Sequence, residues 1–138
     1  PQNQHTDKLL PRNEKVQVRK NLTLEGYVSD PEKALESLDV VLNLSHCKET
    51  FGRTILEAMA AGRATICYEW GGLPELVVPE ETGVLVPFRD IDSVADSIIA
   101  MVNNSTRLKE MGLAGRERAV NNFGRDQFNA SLIKASQY

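Results

Sequence analysis

Two glutamates eight residues apart, Glu49 and Glu57, bracket the run Thr50-Phe51-Gly52-Arg53-Thr54-Ile55-Leu56, which leads directly into Ala58-Met59-Ala60-Ala61-Gly62. The segment before them, Asp39-Val40-Val41-Leu42-Asn43-Leu44-Ser45, reads as a buried strand. Glu49 then sits in the loop beyond that strand's carboxyl end, and Glu57 lies inside the helix that follows, expected over residues 51–61. In open α/β sheets this crevice is where ligands bind. At a rise of ~1.5 Å per residue, Glu57 stands about one and a half turns into a helix starting near Phe51, so both carboxylates can face a ligand resting on the helix N-terminus. That terminus would present the N–H groups of Phe51, Gly52 and Arg53, and its positive dipole end suits a diphosphate.

A competing reading is plain. Arg53 and Glu57 are spaced i, i+4 and would make a surface ion pair worth ~0.3 kcal/mol. Against it, Glu57 interrupts the otherwise uncharged run Ile55-Leu56-Glu57-Ala58-Met59-Ala60-Ala61, which is expected to pack on the sheet, and a buried carboxylate needs a partner or a ligand. Gly71 and Gly72 precede Pro74, the expected start of a short helix, and read either as a tight turn or as a close-approach loop.

The elements that must position these residues alternate. Strands are expected near residues 21–27, 39–45, 64–68 and 83–86, and helices near 31–38, 51–61, 74–78, 91–103, 105–121 and 126–136. Apolar stretches flanked by helices predict an α/β, doubly wound, mostly parallel sheet with helices on both faces. Asp90 or Asp92 can cap the helix whose apolar stripe is Val94, Ala95, Ile98, Ile99 and Val102. The last helix would carry Phe128, Leu132 and Ile133 on one side. Residues 1–20 read as an irregular amino-terminal segment, with one domain over 21–138.

Composition narrows the function classes. The chain has 138 residues and a net charge of −3 with no basic cluster, which argues against nucleic acid as a partner. Cys47 and Cys67 end adjacent strands and read as reduced loop or core thiols. No apolar run reaches ~18 residues and no signal peptide opens the sequence, so the expected location is the cytoplasm. The two histidines, His5 and His46, are far apart, no cluster has metal-ligand spacing, and no Asp-x-Asp pair is placed to bridge a diphosphate; no metal and no cofactor are expected. His46 lies three residues before Glu49 and reads as a polar loop residue near the crevice. No Ser-His-Asp arrangement and no Gly-Lys-Ser/Thr phosphate loop occurs, which removes the common hydrolase and ATPase readings.

The spacing of Glu49 and Glu57 resembles the signature of the retaining glycosyltransferases of family 4, the glycosyl transferases group 1. Four further segments are similar to that family in the same order: Asn21-Leu22-Thr23-Leu24-Glu25-Gly26-Tyr27-Val28, Ser37 to Ser45, Gly71-Gly72-Leu73-Pro74-Glu75-Leu76-Val77 and Thr82-Gly83-Val84-Leu85-Val86-Pro87. Arg63-Ala64-Thr65-Ile66-Cys67 stands where the family usually has a Pro-Val-Ile strand. The resemblance covers roughly residues 21–124. It implies a Rossmann-like half of a GT-B fold that uses a UDP- or GDP-linked sugar as donor substrate. The same resemblance, and nothing else in the sequence, is what makes peripheral attachment to the inner face of the membrane compatible with the chain. Glu57 would accept hydrogen bonds from the donor's ribose hydroxyls, and Glu49, the catalytic candidate, would hold hydroxyls of the transferred sugar. Thr50, Phe51, Gly52 and Arg53 would approach sugar and phosphate oxygens, Gly71 and Gly72 would border the phosphates, and Tyr27 and Val28 would cradle the base.

The departures matter equally. No residue before Asn21 matches the arginine and lysine that neutralise the donor diphosphate in the family, and the first strands of the half are not recognisable. The sheet is therefore expected to carry an open edge, paired by residues 1–20, by an absent part of the protein, or by a second copy in a homodimer. The amino-terminal acceptor domain is the expected partner, and without it this chain should transfer nothing. The function implied is the donor-binding half of a hexosyltransferase in glycan or glycolipid biosynthesis. The alternative is a non-catalytic nucleotide- or ligand-binding module of the same fold; a phosphorylase or nucleotide-sugar epimerase is weaker, because an epimerase needs acid/base groups this half does not show.

Overall fold

The computed structural model describes residues 27–127. The chain divides into two compact units, Pro1–Pro31 and Glu32–Tyr138, and every element from the first strand onward belongs to the second. After a short helix α1 (Pro31–Glu36), three strands β1 (Val40–Asn43), β2 (Ala64–Tyr68) and β3 (Val84–Val86) pair in parallel in the order β1-β2-β3. The register sets Val40 against Ala64 and Ile66 against Val84. Helices α2 (Arg53–Ala60) and α3 (Leu73–Leu76) form the crossovers, and α4 (Ile91–Val102) and α5 (Ser105–Phe123) follow.

The central strand explains the layering. All five residues of β2 are buried, which a strand achieves only when both faces are covered. Cys67 points to a cluster with Ile55, Met59, Leu73, Leu76, Val77 and Ala119. Ala64, Ile66 and Tyr68, at the alternate positions, point the other way, to Val86, Val94, Met101 and Met111. One helix serves both clusters: α5 gives Met111 to the second and Ala119 to the first. The α/β expectation with helices on both faces therefore holds for the described part. On its outer side β1 has no neighbouring strand among the described residues.

The expected strands at 39–45, 64–68 and 83–86 are present, slightly shorter. The strand expected at 21–27 lies outside the described residues except for Tyr27, as do Phe128, Leu132 and Ile133 of the expected closing helix. One expectation needs correction. The stripe of α4 is narrower than Val94, Ala95, Ile98, Ile99 and Val102, for only Val94, Ile98 and Met101 face the core, while Ala95 is exposed and Ile99 and Val102 are 57% and 70% exposed. The i, i+4, i+7 line alone meets β2 and β3, and positions one step off it swing to the flank. Of the two expected caps of α4, Asp90 takes the role: it accepts from the Ser93 N–H at 3.0 Å and from the Ser93 hydroxyl at 2.7 Å. These bonds hold its carboxyl below the usual range, so the stabilisation they give is present above that range and fades as pH falls through it.

The cysteines separate by environment. Cys47 is exposed and Cys67 is buried, and both are free thiols. Burial pushes the Cys67 thiol up to about 12, because a thiolate in that core would be desolvated. A thiol reagent at pH 8 is thus expected to modify Cys47 at once and Cys67 only when denaturant is added; equal rates in native protein would contradict the packing of β2.

Candidate functional site at the carboxyl ends of the strands

The site begins at the last residue of β1. Asn43 is 8% exposed, and a buried amide must be bonded on both ends. Its Nδ2 donates to Glu49 Oε2 at 3.2 Å, and its Oδ1 accepts the Ser45 N–H at 3.2 Å. The strand end thereby fixes both the loop that leaves it and the carboxylate six residues on. The main chain of Glu49 is held as well, because its carbonyl accepts the Gly72 N–H at 2.8 Å.

The paired glycines make that approach possible. At Gly71, whose φ is +66°, a Cβ would overlap the Glu49 carbonyl oxygen, and at Gly72 it would overlap the Thr50 carbonyl oxygen. Thus the glycine loop is pressed against the main chain of residues 49–50, the loop that carries the first glutamate.

Helix α2 starts two residues later than the spacing predicts. Gly52 is its N-cap, in left-handed backbone (φ 83°), and is buried against α3, where a Cβ would lie 2.5 Å from Leu73 Cδ2 and 2.9 Å from Leu76 Cδ1. The first helical bond runs from the Leu56 N–H to the Gly52 carbonyl at 3.0 Å. The N–H groups without an intrahelical acceptor are therefore those of Gly52, Arg53, Thr54 and Ile55; Gly52 and Arg53 were expected among them, and Phe51 lies outside the helix. Arg53 and Thr54 are exposed, so the positive end of α2 opens to solvent beside the Glu49 loop.

Glu57 corrects another expectation. It is not buried among the apolar residues of α2: Ile55, Ala58 and Met59 face the core, and the Glu57 side chain is 41% exposed at the rim. Side chains on a helix lean toward its N-terminus, and Arg53 Nε reaches Glu57 Oε1 at 2.7 Å. With Arg53 itself 86% exposed, this pair contributes about 0.3 kcal/mol or less to stability. Glu57 Oε2 takes no hydrogen bond among the described residues. The helix thus carries a carboxylate about 6 Å along its axis from its open N-terminus, with one oxygen held by arginine and the other available.

Sequence reasoning missed Asn43, hidden inside an apolar run; its signal was an amide at a strand end six residues before a loop glutamate. It also missed a cluster that ties the three strand-end loops together. Trp70 stacks on Phe88 at 4.4 Å, while Tyr68 and His46 meet Phe88 edge-on at 5.4 and 5.9 Å. Lys48 lies 5.7 Å from the Trp70 ring and Arg89 lies 5.1 Å from the Phe88 ring. His46 is exposed in this cluster, in keeping with its reading as a polar loop residue. Tyr27 and Val28 are exposed and belong to the first compact unit. No group of three or more His, Cys, Asp or Glu among the described residues is arranged to hold a metal ion. A cavity of about 540 Å³ lies at the other end of the strands, lined by Asp39, Val40, Arg63, Met101, Lys109 and Leu113 among others, away from both glutamates.

A parallel sheet with helices on both faces fits part of the carboxyl-terminal half of a GT-B glycosyltransferase. The chain belongs to the glycosyl transferases group 1 family, whose model matches residues 2–118. It is 34% identical over 129 residues to the N-acetyl-alpha-D-glucosaminyl L-malate synthase of Bacillus anthracis, covering 89% of this chain and 32% of that protein. To the poly(ribitol-phosphate) alpha-N-acetylglucosaminyltransferase of Staphylococcus aureus it is 28% identical over 118 residues, covering 85% and 24%. A variant of S. aureus TarM, crystallised with fondaparinux, alpha-GlcNAc-glycerol and UDP, superposes with a TM-score of 0.76 at 26% identity, over 85% of this chain and 24% of that one. The chain spans between about a quarter and a third of the length of these curated relatives.

Proposed function

We propose that this chain is the donor-binding half of a retaining glycosyltransferase that moves a hexosyl unit from a UDP- or GDP-linked sugar to a glycan or lipid acceptor. The observation that carries this reading is the construction of the Glu49 loop, whose carboxylate is anchored on Asn43 and whose main chain is locked on Gly72 at the open start of α2. A diphosphate placed there meets the N–H groups of Arg53 and Thr54 and the positive end of the helix dipole. From that position the Glu57 carboxylate accepts from ribose hydroxyls, and Glu49 orients the sugar being transferred. Family membership and the UDP bound to the similar TarM support the same assignment.

The chemistry asked of these residues is positioning and charge stabilisation, both of which depend on a closed cleft. The acceptor site is assigned to the rest of the protein, and the location to the cytoplasm. The test is a thermal-shift panel of UDP, GDP, ADP and their sugars on the whole protein. One nucleotide class is expected to stabilise it, by about 2.7 kcal/mol at a hundredfold excess over Kd. If none of the three shifts the melting point, the donor reading is lost.

A further inference from the structure

The last two turns of helix α5 reach the elements of the candidate site with Arg118, Ala119 and Phe123, and the arginine alone bonds to main chain there. The half-buried Arg118 donates from Nε to the Leu76 carbonyl at 2.6 Å and from Nη2 to the Glu75 carbonyl at 2.9 Å. Those carbonyls belong to the end of α3, where a cation is favoured by the exposed C=O groups. The guanidinium carbon also lies 5.7 Å from the ring centre of Phe123, five residues on. Phe123 in turn meets Phe51 edge-on at 6.3 Å, and Phe51 precedes the Gly52 cap of α2.

These contacts close a ring. Arg118 fixes the end of α3; the residues at its start, Gly71 and Gly72, press on Glu49 and Thr50; Leu73 and Leu76 pack on Gly52; and Phe51 returns to Phe123 beside Arg118. A planar two-donor fork is needed for this arrangement, because a lysine ammonium offers a point charge that does not span two carbonyls and a ring face. Leu73 and Leu76 bury the inner side of α3 in the core beside Ile55 and Ala119, whereas Phe51 is 51% exposed and its ring meets Phe123.

We propose that Arg118 is a positioning residue of the nucleotide-sugar site, holding α3 and the 49–52 loop in the geometry that aims Glu49 and the start of α2 at the ligand. The role rests on the donor-binding reading for its ligand, but the clamp itself is a statement about the loop. Two arms of one experiment keep them apart, using the whole protein with Arg118→Met, which retains the stem, and Arg118→Lys. In hydrogen exchange without ligand, Arg118→Met is expected to speed the Gly72 amide and the 49–56 segment by about tenfold, as expected when a charge-assisted bond is withdrawn, with α4 unchanged. In titration with UDP and GDP, the same variant is expected to weaken the nucleotide that binds wild type by about tenfold, and Arg118→Lys to recover only part of it.

Exchange that stays at the wild-type rate in 49–56, or that rises equally in α4, overturns the clamp. Exchange that rises as expected while wild type binds neither nucleotide upholds the clamp and removes the donor reading instead. If affinity is unchanged although the loop exchanges faster, Arg118 serves the fold alone and the positioning role is wrong.

Discussion

Gly71→Ala is expected to lower stability by about 3 kcal/mol or more, among the largest effects available from a single added methyl group. Two costs coincide at this position. The backbone φ of +66° disfavours any L side chain by about 1–2 kcal/mol, and the new Cβ would fall on the Glu49 carbonyl oxygen, a main-chain atom that moves only with its loop. Relief requires parting the glycine loop from residues 49–50, which breaks the bond from the Gly72 N–H to the Glu49 carbonyl. Thermal unfolding should show a fall of at least about 6 °C, and nucleotide affinity should fall with it. Gly72→Ala shares the steric cost against Thr50 without the positive φ and should lose somewhat less. A Gly71→Ala protein that melts within about 2 °C of wild type would mean that the loop contact is loose and does not position Glu49.

Glu57→Ala separates the two readings of its ion pair. An exposed pair with Arg53 contributes a few tenths of a kcal/mol at most, so stability should move by less than about 0.5 kcal/mol. Nucleotide affinity, in contrast, should drop about 10- to 100-fold, because one carboxylate accepting ligand hydroxyls supplies charge-assisted bonds worth roughly 1.5–3 kcal/mol. Arg53→Ala is the control: it removes the same pair but leaves the acceptor in place, and it should keep most of the affinity. Calorimetric titration of the three proteins decides the matter. Equal and small losses for Glu57→Ala and Arg53→Ala would reduce Glu57 to a surface ion-pair partner.

Much of this was legible in the sequence because the strands are short apolar runs bounded by clear punctuation. Ala64-Thr65-Ile66-Cys67-Tyr68 is an unbroken run, and the strand it forms is buried on both faces. The start of α2 was two residues out because periodicity does not register that Gly52 takes the left-handed conformation and ends the loop, not begins the helix. Glu57 looked buried in a linear run, yet a helix rotates about 100° per residue, and the neighbours of Glu57 in sequence are not its neighbours on the surface. Asn43 left only a faint signal, an amide at a strand end six residues before a loop glutamate, and Arg118 left none, because its partners lie more than forty residues away in the chain and no local pattern encodes them. The glycines were legible as a turn, but their purpose, close approach to the Glu49 loop, is a property of the folded pair.

The central claim is that the open start of α2, flanked by Glu49 and Glu57, is where a nucleotide diphosphate sits. Backbone amide shifts measured by NMR while UDP or GDP is added to the whole protein test it most directly. The largest and saturable changes are expected at Gly52, Arg53, Thr54 and Gly72, all moved in step to about 10- to 100-fold higher nucleotide by Glu57→Ala. Changes confined to the opposite end of the sheet, around Arg63 and Lys109, would contradict it.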